Sequence, residues 1–226
     1  MPPPRSPDDR VAADLRGFGP LGLLAILVVL AGNAIVPPLS AVLALAWARL
    51  SRTPWRALGF ARSATSWART IIVGVVAGAA LKLALKAVVM PLVGADPVNQ
   101  RYHFLVGNRA LIPATLFALV VGAGFGEETV FRGYMFERLG RLLRTNAGAK
   151  AATLLITSVL FGLAHLTDQG VAGAEQATVT GLAFGAMYLA TGTLWLPMCA
   201  HAAFDLTAYA IIYWDLERAV ARLVFP

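Results

Sequence analysis

Six ionisable side chains stand in this chain's apolar segments at spacings that could do chemistry. Glu127, Glu128 and Arg132 occur in EETVFR, His165 ends FGLAH, and His201 and Asp205 bracket HAAFD. A charge at the centre of a membrane helix costs about 2.5–3.5 kcal/mol even on lenient scales, so such groups are kept for a reason. Glu128 and Arg132 are four apart and share a helix face, where pairing lowers the desolvation cost of both. Glu127 then points about 100° away around the helix and is left as a freer carboxylate. His201 and Asp205 repeat the four-residue spacing, so the acid can orient the imidazole or share a metal or water with it. Phe161 and His165 also lie four apart, which sets an aromatic ring beneath the imidazole.

Two carboxylates and two histidines in a water-poor setting suit hydrolysis. A glutamate can take a proton from water, and histidines can bind zinc, donate to an oxyanion or relay protons. The same residues would equally serve a buried packing network or a proton path, and on chemistry alone the two readings are even. HExxH, the zinc-protease motif, is absent. Other groups carry less. His103 lies in a polar loop, and Glu175 could be a second acid near the site or a residue facing the lumen. Lys82 and Lys86, four apart, could face a polar cavity but are expected to snorkel to the interface. Gly122, Gly124 and Gly126 lack the strand and the GK[ST] of a phosphate loop and read as close-packing residues, as do GLAFG at 181–185 and the lone Cys199.

The elements that must position these side chains follow from composition. Of 226 residues, 58% are hydrophobic and only 14% charged, against about 25% charged in soluble domains. Mean hydropathy is +0.69. A water-soluble globule is excluded, and the expected fold is all-α: a polytopic transmembrane bundle of six or seven spans in the cell membrane. The net charge of +7 is read as loop arginines obeying the positive-inside rule, with no nucleic-acid partner.

Residues 1–17 read as a disordered, Pro-rich tail, and 18–109 as N-terminal membrane helices with a basic interfacial segment. Residues 110–214 form the bundle that carries the motifs, and 215–226 a short tail. Within these limits one span is expected at 19–36, broken at Pro37-Pro38, with a helical piece of unsettled depth at 38–50. Arg49, Arg52, Arg56, Arg62 and Arg69, with Trp55 and Trp67, mark a cytoplasmic interface. A span at 70–93 carries Gly74 and Gly78 at the spacing of close helix packing. Helices are then expected at 110–144, 149–166, 173–190 and 193–213. A turn at Asn146–Gly148 makes the first two antiparallel. Glu128 precedes Ala147 by 19 residues and His165 follows it by 18, so they lie at nearly one depth.

At these residues the sequence resembles the CPBP family, which includes the CAAX prenyl endopeptidases of Rce1 type and the bacterial Abi proteins. The family pattern is EExxxR, FxxxH, then HxxxN or HxxxD, in order on membrane helices; FRGYMFERL and RALGF at 56–60 are also similar to family segments. The resemblance implies an intramembrane endopeptidase, with Glu127 activating water and His165 assisting it or binding metal. Glu128 and Arg132 would shape the site, and His201 and Asp205 would stabilise the oxyanion or complete a metal site. Glu127, His165 and His201 match a two-histidine, one-glutamate zinc set, so Zn²⁺ is a candidate cofactor beside a metal-free glutamate mechanism. Asp205 replaces the Asn of the prenyl endopeptidases and cannot donate a hydrogen bond unless protonated, which weakens an oxyanion role there. Implied partners are membrane lipid and a peptide or membrane-protein substrate, prenylated or not; the short Arg/Ala-rich chain fits a bacterial inner membrane. A non-catalytic immunity or scaffold protein, or a proton-coupled transporter, is the alternative.

Overall fold

The computed structural model describes residues 7–35, 37–143 and 146–225, and every regular element among them is helical. In chain order these are α1 (Pro7–Arg16), α2 (Pro20–Ile35), α3 (Pro37–Leu50), α4 (Trp67–Leu92), α5 (Arg109–Leu143), α6 (Ala147–Thr191), α7 (Trp195–Tyr213) and α8 (Glu217–Ala221). Short 3₁₀ turns at Trp55–Leu58 and Gln100–Leu105 punctuate the two long connections.

The N-terminal segment departs from the disordered tail expected for 1–17. Residues 1–6 lie outside the described residues, but Pro7–Arg16 is helical, with Asp8 and Asp9 in its first turn and Arg16 in its last. That charge order complements the helix dipole. Tertiary contacts complete its C-terminus: the Arg138 guanidinium donates to the carbonyls of Arg16 (2.7 Å) and Gly17 (2.6 Å), and Trp47 Nε1 donates to Leu15 O. A composition-based reading has no access to such partners from 30 or 120 residues away.

Four helices among the described residues, α4 to α7, are long and apolar enough to cross a membrane, or five if the bent pair α1–α2 is one span. The six or seven spans expected are therefore not confirmed. Two features account for the difference. The 38–50 piece is the 14-residue α3, short of the roughly 20 residues a span needs. The helices expected at 149–166 and 173–190 run together as α6, whose 45 residues include a non-helical break at Gly170 (φ 69°, ψ −171°). As one straight rod α6 would be about 68 Å long, twice a bilayer core of about 30 Å. It folds back instead. A methyl on Gly162 would lie 2.7 Å from Ala174 O, one on Gly181 3.0 Å from Ser158 Cα, and one on Gly185 2.4 Å from Leu154 Cδ1. Those pairings define two antiparallel arms hinged at Gly170.

Small residues set the remaining helix spacings. A Cβ on Gly78 would fall 2.0 Å from Ala200 O and one on Gly74 2.5 Å from Cys199 Cβ, so α4 and α7 meet backbone to backbone. Gly124 does the same between α5 and α7, against Ala202. Cys199 is thus a packing residue at this seam, as its position in an apolar segment implied.

Candidate active site

α5 carries the two glutamates on an unusually wound stretch. From Ala118 to Tyr134 its backbone is π-helical, interrupted only at Glu128, a winding frequently found at functional sites. Glycines at 122, 124 and 126 and the Thr129 hydroxyl bonded to Phe125 O (2.7 Å) accompany the change. Glu127 and Glu128 leave this segment in different directions, as their adjacency on a helix demands.

Glu128 is fully buried and ion-paired with Arg132 at 2.7 Å; the second guanidinium nitrogen reaches Gly181 O at 3.2 Å. The same Glu128 Oε1 receives His201 Nδ1 at 2.7 Å. This link could not be read from spacing, because α7 arrives only by tertiary packing. Aromatic rings hold the set: Phe184 stacks on His201 (4.8 Å, 28°), Phe161 meets His165 edge-on at 4.6 Å, and the Arg132 guanidinium lies over Phe161.

Glu127 points to the other side of this pair. Its Oε2 lies 4.0 Å from His165 Nε2 and 3.9 Å from His201 Nε2 and has no hydrogen-bond partner among the described residues. His165 Nδ1 faces the Phe161 carbonyl at 2.8 Å. A carbonyl only accepts, so that nitrogen holds the proton; His201 Nδ1 likewise donates to the Glu128 oxygen that also accepts from Arg132. Both Nε2 atoms are therefore turned toward Glu127. Asp205 Oδ2 is 3.5 Å from His201 Nε2, beyond a short hydrogen bond. All six residues singled out in the sequence thus occupy one connected cluster. His103 and Glu175 take no part in it.

Glu127, His165, His201 and Asp205 open on a cavity of about 510 Å³ whose lining includes the apolar Leu111, Leu119 and Ile212. Its size fits a ligand pocket. Tyr102, from the 3₁₀ turn, lines the same cavity; burial, with Asp168 next, pushes its phenol up, so it stays a neutral donor. Lys82 and Gln176 line it too, bonded to each other at 3.1 Å. Lys82 and Lys86 are each only 8% exposed, so the expected snorkelling does not occur. Lys86 is paired with Glu217 at 2.8 Å. The two lysines face inward because Gly74 and Gly78 fix that side of α4 against α7. Their four-residue spacing within an apolar run was the available signal.

The donor chemistry of Glu127, His165 and His201 matches a zinc set, but its geometry does not close. Ligands about 2.0–2.2 Å from a tetrahedral zinc sit about 3.4 Å from one another, and the carboxyl-to-imidazole distances are 3.9 and 4.0 Å. Among the described residues no three His, Cys, Asp or Glu side chains are gathered closely enough to hold a metal ion.

Fold and site together define a multi-helix membrane protein with a buried glutamate–histidine centre opening on an apolar cavity. Residues 109–207, which contain all six clustered residues, match the family model described as type II CAAX prenyl endopeptidase Rce1-like. Over that segment the chain is similar to the Rce1-like family, a family of proteases. The curated proteins and the solved structures gave no match.

Proposed function

We propose that this chain is an intramembrane endopeptidase in which Glu127 activates water for attack on a peptide bond held in the 510 Å³ cavity. The observation that carries the reading is the unpartnered Glu127 Oε2 facing two imidazole Nε2 atoms inside a family-matched segment. A buried carboxyl oxygen without a partner costs stability unless its work requires it to be free.

Glu127 Oε2 accepts a proton from water as the water oxygen bonds to the scissile carbonyl carbon. The negative charge that develops on the carbonyl oxygen is met by an Nε2–H of His201 or His165 when that ring is protonated. As the C–N bond breaks, Glu127 returns the proton to the leaving nitrogen. Glu128 and Arg132 act on His201 as positioning residues, because Glu128 fixes its tautomer through Nδ1. Asp205, 3.5 Å from His201 Nε2, helps to orient that imidazole. The substrate is a peptide or membrane-protein segment presented at the membrane, with an apolar part against Leu111, Leu119 and Ile212.

The test is cleavage by purified protein in detergent of a library of acylated peptides. Wild type is expected to cut, Glu127→Gln to lose at least a hundredfold in rate, and excess chelator to leave the wild-type rate unchanged. Full activity in Glu127→Gln would remove the base assignment. Loss of activity on chelation with restoration by Zn²⁺ would replace the metal-free mechanism by a metal one.

A further inference from the structure

Lys82 is a buried ammonium that no carboxylate among the described residues contacts. Its ammonium donates to Gln176 Oε1 at 3.1 Å and lies 5.0 Å from the centre of the Phe204 ring, and among the described residues no acid side chain is within ion-pairing distance. The neighbouring Lys86, one turn on, shows what a structural lysine in this bundle looks like. It is paired with Glu217 at 2.8 Å, and Glu217 also accepts from the backbone N–H of Asn99. An ammonium has three donors, and in Lys82 the protein uses one.

Place makes the difference informative. Lys82 and Gln176 line the cavity that holds Glu127, His165 and Asp205, and also a second, more polar chamber of about 230 Å³ reaching Asp96, Asn99 and Arg101. Lys82 thus sits where the two spaces share a wall. Phe204, beneath its ammonium, immediately precedes Asp205, whose carboxylate is 3.5 Å from His201 Nε2. The free donors are therefore on the wall of the cavity in which the scissile bond would lie, where it meets the more polar chamber.

We propose that Lys82, oriented by Gln176, is a substrate-binding residue that takes a carboxylate of the peptide, so that the substrate carries an acidic group where the cavity meets the more polar chamber and an apolar part within the larger cavity. This rests on the proteolytic reading for what the bound peptide undergoes, but not for the binding itself. In a cavity screened from bulk water a charge-assisted bond from an ammonium to a carboxylate is among the stronger contacts available. Gln176 cannot supply that charge, and Asp205 would repel it; Lys82 is the group that makes an acid acceptable there.

The experiment measures binding rather than turnover, by tryptophan fluorescence titration of the full chain carrying Glu127→Gln in detergent. The probes are dodecanoyl-Ala-Ala-Ala with a free C-terminal carboxylate, its carboxamide, and dodecanoyl-Ala-Glu-Ala carboxamide. The free acid or the side-chain acid is expected to bind about tenfold tighter than the neutral amide; which of the two does so tells a terminal from a side-chain source. Adding Lys82→Met should remove the preference, and adding Lys82→Arg should retain most of it. A structural role would weaken all three probes alike. Equal binding of acids and amide by the Glu127→Gln protein, or a preference that survives Lys82→Met, overturns the proposal. Acid-selective binding by a chain whose wild type cuts no peptide would leave Lys82's role standing and remove the proteolytic one.

Discussion

Glu127 and Glu128 differ by one position and have opposite circumstances. Glu128 has a guanidinium, an imidazole and no exposure; Glu127 has a cavity and an oxygen without a partner. The first arrangement should be needed to build the site and the second to use it. Arg132→Ala strips Glu128 of its counter-ion in a fully buried place and loosens the carboxylate that orients His201. Removing one member of a buried pair costs about 3–5 kcal/mol, so the variant should fall in membrane abundance as well as in activity. A quantitative blot of membranes showing wild-type levels would contradict that. At this scale the sequence was informative, since i,i+4 spacing alone anticipates the Glu128–Arg132 pair and the Phe161 ring against His165. It could not show His201 bonded to Glu128, a contact 73 positions apart that exists only because α7 packs on α5.

Among elements, glycine decides how near the helices come. At Gly78 a Cβ would lie 2.0 Å from a backbone oxygen of α7, whereas at Gly122 the nearest atoms are on Pro38 at 3.8 Å. Gly78→Ala should therefore part α4 from α7, displacing Lys82 and His201 together and lowering both thermal stability and cleavage. Gly122→Ala should be tolerated, or gain up to about 1 kcal/mol from better helix propensity. Thermal unfolding of the two variants in detergent checks this; equal midpoints would mean that the α4–α7 seam is not held by close approach. The GxxxG spacing made this seam legible in advance. The depth match of Glu128 and His165 was legible too, because a turn at Asn146–Gly148 fixes the two arms by counting alone; Glu127, beside Glu128, and His165 meet at 4.0 Å. The span count was not, since hydropathy cannot tell a hinge at Gly170 from a loop, nor give a 14-residue helix a depth.

Over the whole molecule, one clasp ties three distant parts of the chain beside the cavity. Glu217 of α8 accepts from Lys86 of α4 and from the backbone of Asn99 in the connection before α5. With side chains 10% and 4% exposed, the pair is screened little by salt. Glu217→Ala leaves Lys86 buried without a counter-ion and should destabilise the chain by several kcal/mol, seen as a lower unfolding midpoint at low and at high ionic strength alike. A loss confined to low salt would place the pair at the surface. Sequence gave no hint of this clasp: residues 215–226 read as a short charged tail, and Glu217 lies 131 positions from Lys86.

The central claim is that Glu127 makes this chain a protease. It is tested most directly by comparing, by mass spectrometry, the membrane and released peptides of cells carrying wild type or Glu127→Gln at matched abundance. Peptides ending at new cut sites are expected with wild type alone, and their sequences should show an apolar stretch on one side of the cut. Indistinguishable peptidomes from the two, with both proteins folded in the membrane, would contradict the claim and leave a glutamate–histidine cluster that serves the bundle without cutting anything.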